Sequence, residues 1–280
     1  MSFKKIKSYA KVNLALNVIG KYKKLHKIES LVAFIDLFDL IFIKKIKSDK
    51  HRISFNGKFS KSINLSNTIS KLFEILEKKK LLKQKFYVKV TKNIPQKAGL
   101  GGGSMNAANI LNFLIKNKFV HLNKKQIIDV SSCVGSDVIL GLKSLNTVLT
   151  STNKIKRFNN CKKLHTLVVK PSFGCSTKYI YSCIKKFDKS SFNKPNKKMF
   201  DFSYLKEMNN SLEQVAFNKY PSLKKVKSFL RNNENPLFVR MTGSGSAIVS
   251  YYYTKKQCER AYKKFIKNYK NHWCHTSKTI

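Results

Sequence analysis

The chain has 280 residues, enough for one large domain or two ordinary ones, and its 42% hydrophobic content is sufficient for a full-sized core. This composition excludes a disordered or fibrous protein. Its formal net charge of +43 is typical of proteins that bind nucleic acids or anionic membranes. Only five of the 57 cationic residues are Arg, however, and the Lys residues are spread over nearly every segment. A solvated surface is therefore favoured, and no specific nucleic-acid partner is expected.

The cysteines and apolar segments bear on the cellular compartment. Six Cys residues form no CxxC pair and no zinc-ligand spacing, so we expect reduced thiols. Lys7, Lys11 and Asn13 interrupt what would be the apolar core of a signal peptide. The longest apolar stretch, 31–43, contains two aspartates and is too short to cross a bilayer. We therefore expect a soluble cytoplasmic protein with no membrane partner and no obligate protein partner.

Alternating apolar and polar residues predict a first strand over 10–18, with Lys11 and Asn13 on the same side. Later strands and helices are intermixed without a regular β-α-β period, which favours an α+β fold. The further predicted strands are 31–43, 86–91, 164–170, 237–241 and 247–253. The predicted helices are 67–82, 177–187, 203–217, 222–232 and 255–267. The polar stretch 151–160 separates two apolar strands, so we expect two domains, 1–152 and 153–280.

A glycine-rich segment between a predicted strand and a predicted helix is the most informative part of the sequence. Four of the five positions from Gly99 to Gly103 are glycine, and Ser104 follows at the start of the helix. Glycines at this place let backbone N–H groups approach an anion, and the helix dipole adds partial positive charge. The segment predicts a phosphate-binding loop, since a simple turn rarely needs so many glycines.

Two common nucleotide motifs are absent. Both Gly-Lys pairs are followed by an aromatic residue, Tyr22 or Phe59, where a P-loop requires Ser or Thr. The Gly99-x-Gly101 pair is followed by Ser104 in place of the third glycine of a dinucleotide-binding fingerprint. The loop therefore belongs to another class of phosphate site.

Two further segments complete a set of motifs: Gly135-Ser136-Asp137 follows an apolar helix, and Met241–Ser246 forms a glycine-serine turn between two strands. Each is a weak signal alone. Together with the Lys11/Asn13 strand and the glycine-rich loop, in this order over nearly the whole chain, they resemble the motifs of the GHMP small-molecule kinases. The resemblance implies a two-domain GHMP kinase fold, with an N-terminal domain like ribosomal protein S5 domain 2 and a ferredoxin-like C-terminal domain.

The resemblance also implies roles for individual residues. Asp137 corresponds to the catalytic base and Lys11 to its partner, while Asn13 and His26 match substrate-side positions. ATP and Mg²⁺ are the implied cofactors; Ser104 is a candidate metal ligand, no second carboxylate is assigned to the metal, and its ligand set is left open. The residues that would surround the ATP phosphates are Pro95, Gln96, Lys97, Ala98, Gly99, Leu100, Gly101, Gly102, Gly103, Ser104 and Met105.

Within the family, His26, the run Glu29-Ser30-Leu31 and the triple glycine are most similar to members that phosphorylate a cytidine-diphosphate polyol in the non-mevalonate isoprenoid pathway. His26 would then contact the cytosine. These members commonly carry an aromatic residue before the histidine, where this chain has Leu25. Two alternatives stay open: a GHMP kinase acting on a mevalonate- or homoserine-type alcohol, and a basic nucleic-acid-binding or ribosome-associated protein.

Overall fold

A computed structural model of the chain describes residues 2–22, 25–61 and 63–280. Strands and helices are intermixed along it, which confirms the α+β prediction. The strands are β1 Lys4–Tyr22, β2 Leu25–Ile46, β3 Arg52–Asn56, β4 Lys85–Thr91, β5 Asn146–Leu149, β6 Ile155–Phe158, β7 His165–Lys170, β8 Phe238–Met241, β9 Ile248–Tyr252 and β10 Trp273–Lys278. The α-helices are α1 Thr68–Lys78, α2 Gly102–Lys116, α3 Lys124–Val134, α4 Val138–Gly141, α5 Thr177–Ser182, α6 Phe202–Glu207, α7 Leu212–Lys219, α8 Pro221–Arg231 and α9 Lys255–Asn268. Within the described ranges, no helix combines the length and apolar character needed to span a membrane.

The chain forms two compact units, and the long strands β1 and β2 supply residues to both. The first unit consists of the described parts of Met1–Lys11, Leu37–Pro95 and Gly101–Ser144. The second consists of the described parts of Val12–Asp36, Gln96–Leu100 and Leu145–Ile280. The sequence boundary between residues 152 and 153 stays a prediction.

In the first unit, β4 pairs in parallel with β3 and antiparallel with the second half of β2, with Thr91 opposite Leu40. Helices α1, α2 and α3 pack together, and their apolar faces share one core with these strands. Phe73, Phe86 and Leu111 are buried in that core. Since α2 packs firmly while β4 is held in the sheet, both ends of the glycine-rich segment that joins them are anchored.

In the second unit, four antiparallel strands form a sheet in the order β10-β7-β9-β8. Helices α8 and α9 pack on it around buried residues such as Leu230, Ile248 and Phe265. The first half of β2 pairs with β5, which pairs with β6. The turn between β8 and β9 is therefore fixed at both of its ends by paired strands of the four-stranded sheet.

The structure corrects two predictions about the second half of the chain. The single helix predicted over 203–217 is two helices, α6 and α7, because Asn210 between them is used for other contacts. Its side-chain amide donates to the carbonyls of Met241 and Gly243, both at 2.8 Å, and its Oδ1 accepts from Leu212 N at 3.0 Å. The prediction also lacked a strand after residue 267, whereas β10 pairs with β7 along its whole length.

Candidate active site

Lys11 and Asp137 lie together in the first unit. The Lys11 Nζ is 3.2 Å from the Asp137 Oδ2, with Lys11 5% exposed and Asp137 31% exposed. Asp137 immediately precedes α4, in a turn where Val138 N donates to Gly135 O at 3.1 Å. A buried ammonium group requires a compensating anion, and this carboxylate provides one while keeping partial access to solvent.

The start of α2 lies against the same lysine. Gly101 is the N-cap residue with a φ of 69°, a conformation that favours glycine. A Cβ atom added at Gly101 would lie 2.8 Å from the Lys11 Cγ, so only glycine allows this approach. The first N–H groups of α2 have no acceptor within the helix and carry partial positive charge. Lys11, Asp137 and the amino end of α2 thus form one cluster that suits phosphate chemistry.

A second anchor of this helix end is Thr68, the first residue of α1. Its hydroxyl donates to the Gly103 carbonyl at 2.8 Å. Asn67 caps α1 by accepting from the N–H groups of Ile69 and Ser70. The first turns of α1 and α2 are therefore tied to each other.

The middle of the glycine-rich loop, Gln96–Leu100, belongs to the second unit, where the turn after β8 holds it. The Thr242 Oγ1 donates to the Gly99 carbonyl at 3.1 Å and accepts from Asn13 N at 3.0 Å. Ala247 N donates to the Ala98 carbonyl at 3.1 Å. The turn was predicted as a motif, but no sequence pattern indicated that Thr242 joins it to Asn13 and to the loop.

Asn13 and His26, the two predicted substrate-side residues, both lie in the second unit. The Asn13 Nδ2 donates to the Ser30 Oγ at 2.8 Å, which orients its amide. The His26 ring lies 5.2 Å from the Tyr181 ring, and the nearby Leu25 is 76% exposed. Burial, and then the positive charge of Lys21, lower the pKa of His26, so its imidazole is neutral at pH 7.

Glu29 organises a neighbouring part of the second unit. It is fully buried and accepts hydrogen bonds from Ser191 N at 2.7 Å, the Ser190 hydroxyl at 2.8 Å and the Asn17 amide at 2.9 Å. Burial raises the pKa of this carboxyl, but the hydrogen bonds outweigh burial and the pKa is lowered overall. Glu29 thereby fastens the segment around Ser191 to β1 and β2.

The donor set allows a magnesium ion that takes most of its ligands from phosphates and water. Among the residues that the structure describes, no three His, Cys, Asp or Glu side chains cluster as a metal site would require. Mg²⁺ commonly keeps several waters and binds substrate phosphates with only one or two protein oxygens. The Ser104 hydroxyl is such an oxygen in the first turn of α2, so the residues fit this mode of binding.

A cavity of about 480 Å³ lies elsewhere in the second unit and is lined by residues of α8 and α9 and of the segment that follows α8. It contains none of the predicted site residues, so we assign no part of the chemistry to it.

Comparison with known proteins agrees with this arrangement. The sequence profile of the GHMP kinases N terminal domain matches residues 67–149, and that of the GHMP kinases C terminal matches 183–271. A protein of Pelagibacter ubique named 4-diphosphocytidyl-2-C-methyl-D-erythritol kinase is 56% identical over 99% of both chains. A protein of the same name from Caldicellulosiruptor bescii is 32% identical over 94% of this chain and 95% of its own.

Solved structures show the same fold at lower identity. A crystal structure of 4-(cytidine 5'-diphospho)-2C-methyl-D-erythritol kinase superposes with a TM-score of 0.77 at 22% identity, covering 98% of this chain and 99% of that one. The homoserine kinase of Cytophaga hutchinsonii superposes with a TM-score of 0.75 at 16% identity, covering 100% of this chain and 95% of that one. Together with the full-length relatives, these matches confirm the predicted two-domain fold, and the chain belongs to the GHMP kinases.

Proposed function

We propose that the protein transfers the γ-phosphoryl group of ATP to the 2-hydroxyl of 4-diphosphocytidyl-2-C-methyl-D-erythritol, in the non-mevalonate route to isoprenoid precursors. Membership of the GHMP kinases implies the use of ATP. The choice of acceptor is supported by the relative of that name, which is 56% identical over the full length. The geometric observation that carries the proposal is the cluster of Lys11, Asp137 and the amino end of α2.

The reaction requires a proton acceptor and positive charge more than it requires covalent catalysis. The hydroxyl oxygen of the acceptor attacks the γ-phosphorus, and the bond from that phosphorus to the oxygen bridging it to the β-phosphate breaks, so that ADP leaves. The hydroxyl proton passes to the Asp137 carboxylate. General-base catalysis of this kind contributes about 10²- to 10⁴-fold.

Lys11 supports this step in two ways. Its ammonium group, 3.2 Å from the Asp137 Oδ2, orients the carboxylate that accepts the proton. It also supplies a fixed positive charge against the negative charge of the transferred phosphoryl group. Because Lys11 is already paired with Asp137 and lies close to Gly101, little reorganisation is needed when the reaction occurs.

The glycine-rich segment is proposed to bind the ATP phosphates through residues 95–105. Its backbone suits this role because Gly99 and Gly101 have positive φ angles of 74° and 69°, which expose N–H groups that a side chain would cover. Mg²⁺ supplies further positive charge to the phosphates when bound, and Ser104 is the residue that we propose to hold it.

Asn13, His26 and Tyr181 are proposed to recognise the acceptor. A neutral imidazole can accept from the amino group of cytosine or donate to its ring nitrogen, through one of its two nitrogens at a time. The Tyr181 ring beside His26 provides an aromatic surface for the base. The Asn13 amide, oriented by Ser30, offers polar atoms to the hydroxyl groups of the polyol.

A panel of alcohols tests the proposed acceptor. Purified protein with ATP and Mg²⁺ is incubated separately with 4-diphosphocytidyl-2-C-methyl-D-erythritol, mevalonate and homoserine, and ADP release is measured. We expect turnover with the cytidine-diphosphate polyol alone, and ³¹P NMR should show a new phosphate ester on the 2-hydroxyl. Turnover with mevalonate or homoserine but not with the polyol would assign the chain to another activity of the family. Removal of Mg²⁺ by EDTA should abolish turnover.

A further inference from the structure

A buried carboxylate in the first unit binds the chain on both sides of the glycine-rich segment. Asp39 is fully buried and accepts from Asn93 N at 2.8 Å and from Ile94 N at 2.9 Å, just before the segment begins. It also accepts from the Asn106 Nδ2 at 2.9 Å, in the first turns of α2 just after the segment ends. The Lys92 ammonium group completes the set.

We propose that Asp39 is a positioning residue for the nucleotide, which clamps both ends of the glycine-rich segment and so fixes the first turn of α2 for the ATP phosphates. The inference rests on the proposed role of that segment in binding ATP, and it assigns to Asp39 no contact with either substrate.

The strand ends explain why a side chain is needed at this place. The β2–β4 ladder pairs Leu40 with Thr91, and beyond that pair the chain after β4 no longer pairs with β2. Asp39 precedes Leu40, so its carboxylate takes the N–H groups of Asn93 and Ile94 that would otherwise lose their partners. The path of the chain into the loop is therefore set by one side chain.

Asn106 is the second half of the clamp. Its side chain is 1% exposed, and its Oδ1 has no hydrogen-bond partner in the described part of the chain. The bond from its Nδ2 to Asp39 fixes the amide, and with it the rotation of the first turns of α2. Leaving a buried polar atom without a hydrogen bond costs free energy. Asn106 occupies this buried place despite that cost, which indicates that its hydrogen bond to Asp39 has a role beyond packing.

Lys92 balances the charge of this clamp. Its ammonium group pairs with Asp39, and a Cβ atom at Gly102 would lie 3.2 Å from the Lys92 Nζ. Buried ion pairs are weak contributors to net stability, whereas loss of one partner leaves an uncompensated charge. Positioning and stability are therefore separable by experiment, because adding Lys92→Met to Asp39→Asn removes both charges without restoring the carboxylate that accepts from Asn93, Ile94 and Asn106.

The test compares Asp39→Asn with Glu77→Gln, a matched loss of charge in the same unit. Glu77 binds Lys85 and His51 and makes no described contact with the glycine-rich segment. Asp39→Asn places an amide N–H₂ against other donors in either orientation of the amide. At the Oδ2 position it meets Lys92 and Asn106, and at the Oδ1 position it meets the N–H groups of Asn93 and Ile94. The dissociation constant of AMP-PNP is measured by calorimetry, and the KM values for ATP and the polyol are measured below every variant's melting transition.

We expect Asp39→Asn to raise the AMP-PNP dissociation constant and the KM for ATP by about tenfold or more, with the KM for the polyol within about threefold, since small displacements of a binding loop have large effects. Glu77→Gln should lower the melting temperature and change each constant by less than about threefold. Lys92→Met, which leaves the buried Asp39 carboxylate without its cation, should lower the melting temperature. Adding it to Asp39→Asn should recover stability and not affinity.

An Asp39→Asn protein with an AMP-PNP affinity within about twofold of wild type would overturn the inference, as would equal rises in both KM values. If that variant does not fold, Asn106→Ala tests the other half of the clamp, and we expect it to weaken AMP-PNP binding while leaving the KM for the polyol unchanged. Wild-type protein that binds AMP-PNP but does not phosphorylate the polyol would contradict the proposed acceptor and leave the Asp39 comparison intact. Wild-type protein that does not bind AMP-PNP would overturn both.

Discussion

Asp137→Asn separates proton transfer from binding, since it removes the proposed base at nearly constant volume. At 3.2 Å, the attraction between the Lys11 ammonium and the Asp137 carboxylate is about 5 kcal/mol before desolvation, with an effective dielectric constant of about 20. Partial exposure of Asp137 reduces the net coupling, so the larger effect is chemical. Loss of a general base costs about 10²- to 10⁴-fold, or about 3–5 kcal/mol of transition-state free energy.

We therefore expect the kcat of Asp137→Asn to fall at least about 100-fold, with the AMP-PNP dissociation constant within about threefold of wild type. Single-turnover ADP release measures the chemical step, and the exposed neighbour Ser136→Ala is the control that should behave as wild type. The kcat of Lys11→Met should also fall steeply. The kcat of the variant that combines both changes should be only slightly below that of the slower single variant, because the two side chains act as a unit. A kcat for Asp137→Asn within about tenfold of wild type would refute this reasoning. So would a double variant whose loss of kcat equals the product of the two single losses.

Three further predictions concern the loop, the buried glutamate and the surface charge. Gly99→Ala should weaken AMP-PNP binding and lower the melting temperature, because a Cβ atom there collides with the Thr242 carbonyl at a φ of 74°; Gly20→Ala, which meets no atom within 4 Å, is the control. Because folding lowers the pKa of Glu29 from 4.5, its ionised carboxylate stabilises the fold above about that pH, and this stabilisation is lost as the pH falls below it. Glu29→Gln should therefore make the melting temperature less dependent on pH in that range, and a pH profile identical to that of wild type would contradict this. Fluorescence anisotropy should show weak binding to random duplex DNA at physiological salt, and tight, saturable binding to one RNA would contradict a merely solvated surface.

Local patterns were sufficient for the elements that carry the chemistry. Alternation predicted the strand with Lys11 and Asn13, and β1 extends well beyond both of its predicted ends. The glycine-rich segment was predictable because positive φ angles at Gly99 and Gly101 demand glycine whatever the rest of the fold does. The pairing of Lys11 with Asp137 was available only through the family resemblance, since no local pattern brings distant residues together.

Contacts between distant parts of the chain explain what the sequence patterns missed. Thr242 and Asn13 are 229 positions apart, and neither residue type at that spacing indicates a hydrogen bond. Asn210 ended a predicted helix because its side chain is used by the β8–β9 turn. Asp39 lies in an apolar stretch where it counted only as an interruption, and its role depends on Asn93, Ile94 and Asn106 lying around it.

The departure at Leu25 gives the last prediction. Leu25 is 76% exposed at the position where the family resemblance leads us to expect an aromatic residue, whereas the ring beside His26 is that of Tyr181. If Tyr181 supplies the surface on which cytosine stacks, its removal should cost about 1–3 kcal/mol, or about 5- to 150-fold in affinity for the polyol.

Tyr181→Ala should therefore raise the KM for the polyol by that factor and leave AMP-PNP binding unchanged, while Tyr181→Phe, which keeps the ring, should stay close to wild type. Tyr179→Ala is the matched control, because Tyr179 lies on the same helix, is exposed, and has the Lys219 ammonium over its ring. Leu25→Tyr tests whether Tyr181 replaces the aromatic ring missing at position 25 or whether its absence weakens cytosine binding. With Tyr181 already in place, a second ring adds little and the KM should not change. A marked fall in the KM of Leu25→Tyr, together with an unaffected Tyr181→Ala, would show that Leu25 leaves an energetic gap that Tyr181 does not fill.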